Sequence, residues 1–233
     1  MKLSVIIPVY NEKATVLELL TKVRALEIDK EVIIVDNCST DGTRELIEGL
    51  DWPDVRRIYQ DRNRFKGNSV KRGIAVATGD YVVIQDADLE YDPRDILLLV
   101  DRMQAGGVLA VLGSRVRGMR EAGQRMPASI HSFGRAVINA VFGLLYGSAL
   151  TDIATCYKFA PREFLQSLTL KSEGFDLDFE LAAKFVKSAR RRNLRVAEVP
   201  VRYYPRSVAE GKKIGWRDGL RALWTVVKYR FAD

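Results

Sequence analysis

Along the first 114 residues, apolar positions alternate between two patterns. Residues 3–8 (LSVIIP) and 31–36 (EVIIVD) are short β-branched runs, as expected of parallel strands buried on both sides. Between them, residues 12–26 place Val16, Leu19, Leu20 and Val23 at helical spacing. A helix over 41–50 and a weaker strand at 55–59 come next, then a helix over 69–77 closed by Thr78-Gly79. A strand at 80–85 (DYVVIQ) leads into a helix opened by Asp92-Pro93 and running to Met103, and a further strand covers 108–112. This order predicts an α/β fold with a mainly parallel central sheet and helices on both faces.

The rhythm changes after Ser114. Residues 118–128, rich in Gly, Arg, Met and Pro, read as a loop, and 132–146 as an apolar helix. Strands are expected at 156–160 and 196–203, with a helix over 178–190 between them. Residues 216–231 form an amphipathic pattern in which Trp216, Leu220, Leu223, Trp224, Val227 and Phe231 share a face, with Arg217, Arg221, Lys228 and Arg230 nearby. Such a helix either lies on an anionic lipid surface or packs on the protein's own core. No linker or repeat divides the chain, so one domain over 1–233 is expected, with a donor half (1–114) and an acceptor half (115–233). Ligands of open α/β sheets sit beyond the carboxyl ends of the strands. That rule selects residues 8–12, 36–41, 86–90 and 113–115.

Composition narrows the chemistry. With 47% apolar residues in 233, the chain can fill a core. Two cysteines and the single histidine, His131, exclude a disulfide scaffold and a Cys/His metal cluster, and His131 reads as structural. Any metal must be held by oxygen, which points to Mg²⁺ or Mn²⁺. No window reaches about 18 uncharged apolar residues, and the opening MKLSVIIPVY lacks a signal-peptide core. A soluble, cytoplasmic chain is expected. The net charge of +7 is uneven: residues 1–114 carry fifteen Lys and Arg against nineteen Asp and Glu, whereas 151–233 carry seventeen against ten. An acidic half joined to a basic half suits a site where a metal and anions meet. Nucleic acid is not expected as a partner, because no recognised binding motif accompanies the basic half.

Asp86-Ala87-Asp88-Leu89-Glu90 follows an apolar strand. Alternate carboxylates there can converge on one hard cation whose shell is completed by substrate phosphates; Asp88 or Glu90 could also merely cap the next helix. Neither G-x-G-x-x-G nor G-x-x-x-x-G-K-[ST] occurs, which disfavours a dinucleotide dehydrogenase and a P-loop NTPase.

Val5-Ile6-Ile7-Pro8-Val9-Tyr10-Asn11-Glu12, Val35-Asp36-Asn37-Cys38-Ser39-Thr40-Asp41-Gly42-Thr43 and Asp86-Ala87-Asp88 resemble, in order, the opening motifs of family 2 glycosyltransferases. Lys66-Gly67-Asn68, Gly79-Asp80 and Gly113-Ser114-Arg115 fall where that family has similar segments. The stretch 206–213 resembles the basic loop of dolichol- and polyprenyl-phosphate sugar synthases. The resemblance implies a GT-A fold and transfer of a sugar from a nucleoside diphosphate. It places Pro8, Tyr10 and Glu12 in the nucleotide pocket and Asp36 and Asn37 near the base. Asp86, Ala87 and Asp88 would lie at the diphosphate, with Asp86, Asp88 and Glu90 as metal ligands. Asn37-Cys38 departs from the family's usual acid-then-glycine, which leaves uracil or guanine open.

Arg115, Arg206 and Lys212 are the cations expected on phosphates. Asp88, Arg115 and Asp152 are the expected catalytic residues, Asp152 as general base for a hydroxyl acceptor or as an anchor for its loop. The leading expectation is an inverting, metal-dependent transferase acting on a polyprenyl phosphate at the cytosolic membrane face, with the need for a membrane subunit open. The alternatives are transfer to a glycan hydroxyl and a non-catalytic membrane- or nucleic-acid-binding module.

Overall fold

The computed structural model describes residues 1–124, 130–206 and 215–232, without the side chains of Ile130, His131 and Trp216. Its strands are β1 (Leu3–Val9), β2 (Lys30–Asp36), β3 (Val55–Tyr59), β4 (Tyr81–Ile84), β5 (Val108–Ser114), β6 (Lys158–Pro161) and β7 (Arg195–Pro200). They form one sheet in the order β3-β2-β1-β4-β6-β5-β7. Every neighbouring pair is parallel except those of β6, which runs antiparallel to both β4 and β5. The helices are α1 (Val16–Arg24), α2 (Thr43–Glu48), α3 (Phe65–Val76), α4 (Ile96–Gln104), α5 (Arg115–Glu121), α6 (Ile130–Tyr146), α7 (Arg162–Ser167), α8 (Leu177–Arg191) and α9 (Trp216–Phe231).

Apolar side chains alternate between the sheet's two faces, which is why the inner strands β1, β4 and β5 carry no polar side, whereas the edge strands β3 and β7 do. Ile6, Ile33, Val35 and Ile84 enter one core with Phe142 of α6, Phe185 of α8 and Val226 of α9. Val5, Ile7, Val32 and Ile34 enter the other with Leu19 of α1 and Leu99 of α4. Helices therefore cover both faces, as the sequence predicts. Among the described residues, no helix is long and apolar enough to cross a membrane.

Two stretches differ from expectation. Residues 118–128 were expected to be a loop, yet α5 continues to Glu121. Gly118 accounts for this: a Cβ there would run into the Val201 carbonyl, so α5 lies backbone-to-backbone on the chain leaving β7. Residues 125–129 lie outside the described set. The six-residue helix α7 was not anticipated, being too short to show a period.

Candidate active site

The loops at the carboxyl ends of β1, β2, β3 and β4 each hold a non-glycine residue in the left-handed region: Asn11 (φ 50°), Cys38 (φ 61°), Phe65 (φ 63°) and Leu89 (φ 60°). Such backbone costs about 1–2 kcal/mol per residue, and its gathering on one rim of the sheet marks a site. Hydrogen bonds stitch the first two loops together. Ser39 Oγ accepts from the Asn11 amide at 3.0 Å, Asn11 Oδ1 from the Thr40 amide at 2.8 Å, and Thr43 Oγ1 from the Glu12 amide at 3.0 Å.

Pro8 lies buried in β1, with Tyr10 half-buried just beyond its end. Asp36, fully buried at the end of β2, receives Arg44 Nε at 2.7 Å. Asn37 donates to Asn63 Oδ1 and accepts from the Arg64 amide, both at 2.8 Å. Asp36 and Asn37 thus tie the loop after β2 to Arg44 and to residues 63–64.

After β4, Ala87 is buried while Asp86 and Asp88 stay partly accessible, as alternation requires. Each carboxylate already has a cation. Lys66 Nζ lies 2.9 Å from Asp86 and 3.3 Å from Asp178 of α8, and Lys158 Nζ lies 3.1 Å from the same Asp178. Burial opposes the charge on Lys66, but Asp178 and Asp86 more than reverse this and its pKa rises. Burial prevails at Lys158, whose pKa falls. Arg206 reaches Glu12 with Nη1 at 2.9 Å and Nη2 at 3.2 Å, and Nη2 also lies 3.2 Å from Asp88 Oδ2. Asp88 is nonetheless pushed up to about 7, first by burial and then by the charges of Asp86 and Glu90.

Glu90 faces elsewhere. Its Oε1 accepts from the Arg206 amide at 2.9 Å and its Oε2 from the Tyr203 hydroxyl at 3.1 Å, tying the chain beyond β7 to the acidic loop. Among the described residues, no group of three acidic, His or Cys side chains gathers closely enough to hold an ion. The fit to Mg²⁺ or Mn²⁺ therefore rests on Asp86 and Asp88. Two crowded oxygen donors suit a cation that takes the rest of its shell from phosphates. Arg206 Nε is buried without a hydrogen-bond partner, a donor that suits a phosphate oxygen.

Asp152 is fully buried, and Arg115 takes both its oxygens, Nε at 2.7 Å and Nη2 at 2.8 Å. The Arg115 guanidinium also lies over the Tyr203 ring at 5.1 Å. Burial would raise the Asp152 pKa, but Arg115 outweighs it and the pKa is lowered. Glu198 of β7 holds this loop by accepting from the Thr151 and Asp152 amides. Of the two roles expected of Asp152, this geometry suits the loop anchor. Lys212 lies outside the described residues. Sequence reasoning missed Asp178, Lys158, Glu198 and Tyr203. The one available signal was the run Asp176-Leu177-Asp178-Phe179-Glu180, in which acids alternate with apolar residues at a helix start.

A groove of about 350 Å³ runs from Phe65, next to Lys66, to α9, with Lys171, Arg221, Trp224 and Lys228 on its walls. On α6, Phe133, Val137 and Leu144 face solvent, as do Leu220, Trp224 and Phe231 on α9. The buried side of α9 is Ala222, Thr225, Val226 and Tyr229.

The sequence profile of Glycosyl transferase family 2 matches residues 4–169. Glycosyltransferase AglJ of Haloferax volcanii is 29% identical over 203 residues, 87% of this chain and 63% of the relative. A dolichol-phosphate mannosyltransferase of Pyrococcus furiosus is 28% identical over 235 residues, 98% of this chain and 64% of the relative. The chain thus spans less than two thirds of the length of these relatives. Glucosyl-3-phosphoglycerate synthase from Mycobacterium tuberculosis, crystallised with Mn²⁺, UDP and phosphoglyceric acid, superposes with a TM-score of 0.73 at 21% identity. The superposition covers 100% of this chain and 79% of that one, and it shows a shared GT-A fold.

Proposed function

The chain belongs to glycosyl transferase family 2, and we propose that it moves a hexosyl group, with inversion, from a nucleoside diphosphate sugar to a polyprenyl phosphate. Residues 1–114 hold the donor and 115–233 the acceptor. Support for the donor comes from Asp88, an acid raised to about 7 beside Asp86 and Glu90 and within reach of Arg206. In the reaction, an oxygen of the lipid phosphate bonds to the anomeric carbon as the C–O bond to the diphosphate breaks, and that bond's electron pair stays on the departing nucleoside diphosphate. Asp86 and Asp88 would hold a divalent cation, which would supply positive charge to that leaving group. Arg206, with an unspent N–H, is positioned to bind the same phosphates.

The observation that carries the acceptor is the Asp152–Arg115 pair. A sugar hydroxyl needs a general base, whereas a phosphate monoester, with a second pKa of about 6, is already largely dianionic at neutral pH. Asp152, the acid expected for that duty, has both oxygens on Arg115 and a depressed pKa. A chemistry that needs no base fits this better. The named lipid-phosphate relative and the apolar residues left in solvent on α6 and α9 support an acceptor presented at a membrane surface.

The test is transfer of labelled hexose from UDP- and GDP-sugars to polyprenyl phosphate in mixed micelles, with soluble oligosaccharides as competitors. Label should enter the lipid, and EDTA or Asp88→Asn should lower the rate about a hundredfold or more. Label entering only the soluble sugars would overturn the assignment.

A further inference from the structure

We propose that Arg206 is a built-in counter-cation that competes with the divalent ion, so that this site takes up metal efficiently only together with the nucleoside diphosphate. The inference rests on the donor-site assignment above and concerns the order in which that site fills. The Arg206 guanidinium already does, in part, what a dication would do there. It sits 17% exposed between Glu12 and Asp88, donating to both, while its own amide is fixed by Glu90. Its charge is held firmly: burial opposes it, and Glu12 and Asp88 raise its pKa regardless.

Asp88 Oδ2 is the oxygen that Arg206 Nη2 occupies at 3.2 Å. Engaging that oxygen with a bare dication brings two positive groups together and strips Nη2 of an acceptor. Arg206 Nε, which already lacks a partner, has no spare acceptor beside it among the described residues. A diphosphate changes the balance. Its oxygens give Nε and the freed Nη2 acceptors, and its negative charge separates guanidinium from dication. Metal and nucleotide affinities are then linked through one side chain, and the linkage must be reciprocal.

The test is Mn²⁺ binding, read as loss of the free-Mn²⁺ paramagnetic resonance signal, for the native chain, Arg206→Gln and Arg206→Lys. Each is titrated alone and with UDP or GDP, and circular dichroism checks the fold. Without nucleotide, Arg206→Gln should bind Mn²⁺ about tenfold more tightly than the native chain, the equivalent of one charge-assisted hydrogen bond. With the preferred nucleotide it should bind more weakly than the native chain, so the two effects have opposite signs. Arg206→Lys, which keeps the charge but cannot fork across Glu12 and Asp88, should fall between them. A residue that only props the loop would weaken both. If the native chain binds Mn²⁺ with nucleotide and neither folded variant binds bare Mn²⁺ more tightly, this inference is overturned while the donor site stands. If the native chain binds no Mn²⁺ with either nucleotide, the donor site itself falls.

Discussion

The buried pair of Asp152 and Arg115 shows how much a single residue can carry. Two charges out of water are tolerable because each oxygen of the carboxylate meets a guanidinium N–H, and removing one partner strands the other. Asp152→Asn is therefore expected to lower stability by about 3–5 kcal/mol at pH 7, measured by urea unfolding. The pH dependence follows from the depressed folded-state pKa. The stabilisation is complete above the unfolded value of about 3.9 and is lost as pH falls through the folded value. Native and variant stabilities should accordingly converge below pH 4; equal stability at pH 7 would make Asp152 free to act as a base. The carboxylates Asp86 and Asp88 were legible in the sequence because a strand's end fixes where they lie. Their cations were not. Lys66 and Asp178 stand 112 positions apart, and no local pattern reports a contact closed by the fold.

Elements bring those distant residues together, and the contact of α5 with the chain beyond β7 matters most for the site. The segment leaving β7 carries Tyr203 and Arg206 back to the acidic loop, where the Tyr91–Tyr203 bridge and the Glu90 hydrogen bonds hold it. Gly118 sets its height above α5 because its missing Cβ leaves room for the Val201 backbone. Gly118→Ala should lower the urea midpoint by an amount equivalent to about 1–3 kcal/mol, since backbone cannot swing aside as a side chain can. It should also weaken nucleotide–Mn²⁺ binding, because Arg206 shifts with the segment. Unchanged binding would uncouple α5 from the site. Glycine content made 118–128 look like a loop, whereas Gly118 is there for close packing. The same limit applies to β6. Its four residues announce a strand but not its direction, which is set by neighbours on either side.

At the scale of the whole molecule, strands from the acidic and basic halves share one sheet, so the charge asymmetry becomes a property of one body. Hydropathy along 216–231 showed an apolar stripe but not its neighbour. The side that packs inward is Ala222, Thr225, Val226 and Tyr229, whose small and β-branched members let α9 sit close to α6 and α8. Tyr146 of α6 donates to the Val226 carbonyl at 2.9 Å across that contact. The bulkier side is left in solvent, with Trp224 66% and Phe231 80% exposed, and Leu144 on neighbouring α6 is 85% exposed. Exposed aromatic and aliphatic side chains beside Arg217, Arg221 and Lys228 meet both demands of an anionic bilayer, apolar insertion and attraction worth about 1 kcal/mol per basic residue. Sedimentation with vesicles should therefore show binding to anionic lipid that weakens as salt rises, and little binding to neutral lipid. Replacing Leu144 and Trp224 together by Glu should reduce vesicle binding more than tenfold. Stability should stay within about 0.5 kcal/mol, because neither side chain contributes to a core. Vesicle binding that survives both substitutions would move the contact to another face and detach the apolar sides of α6 and α9 from acceptor delivery.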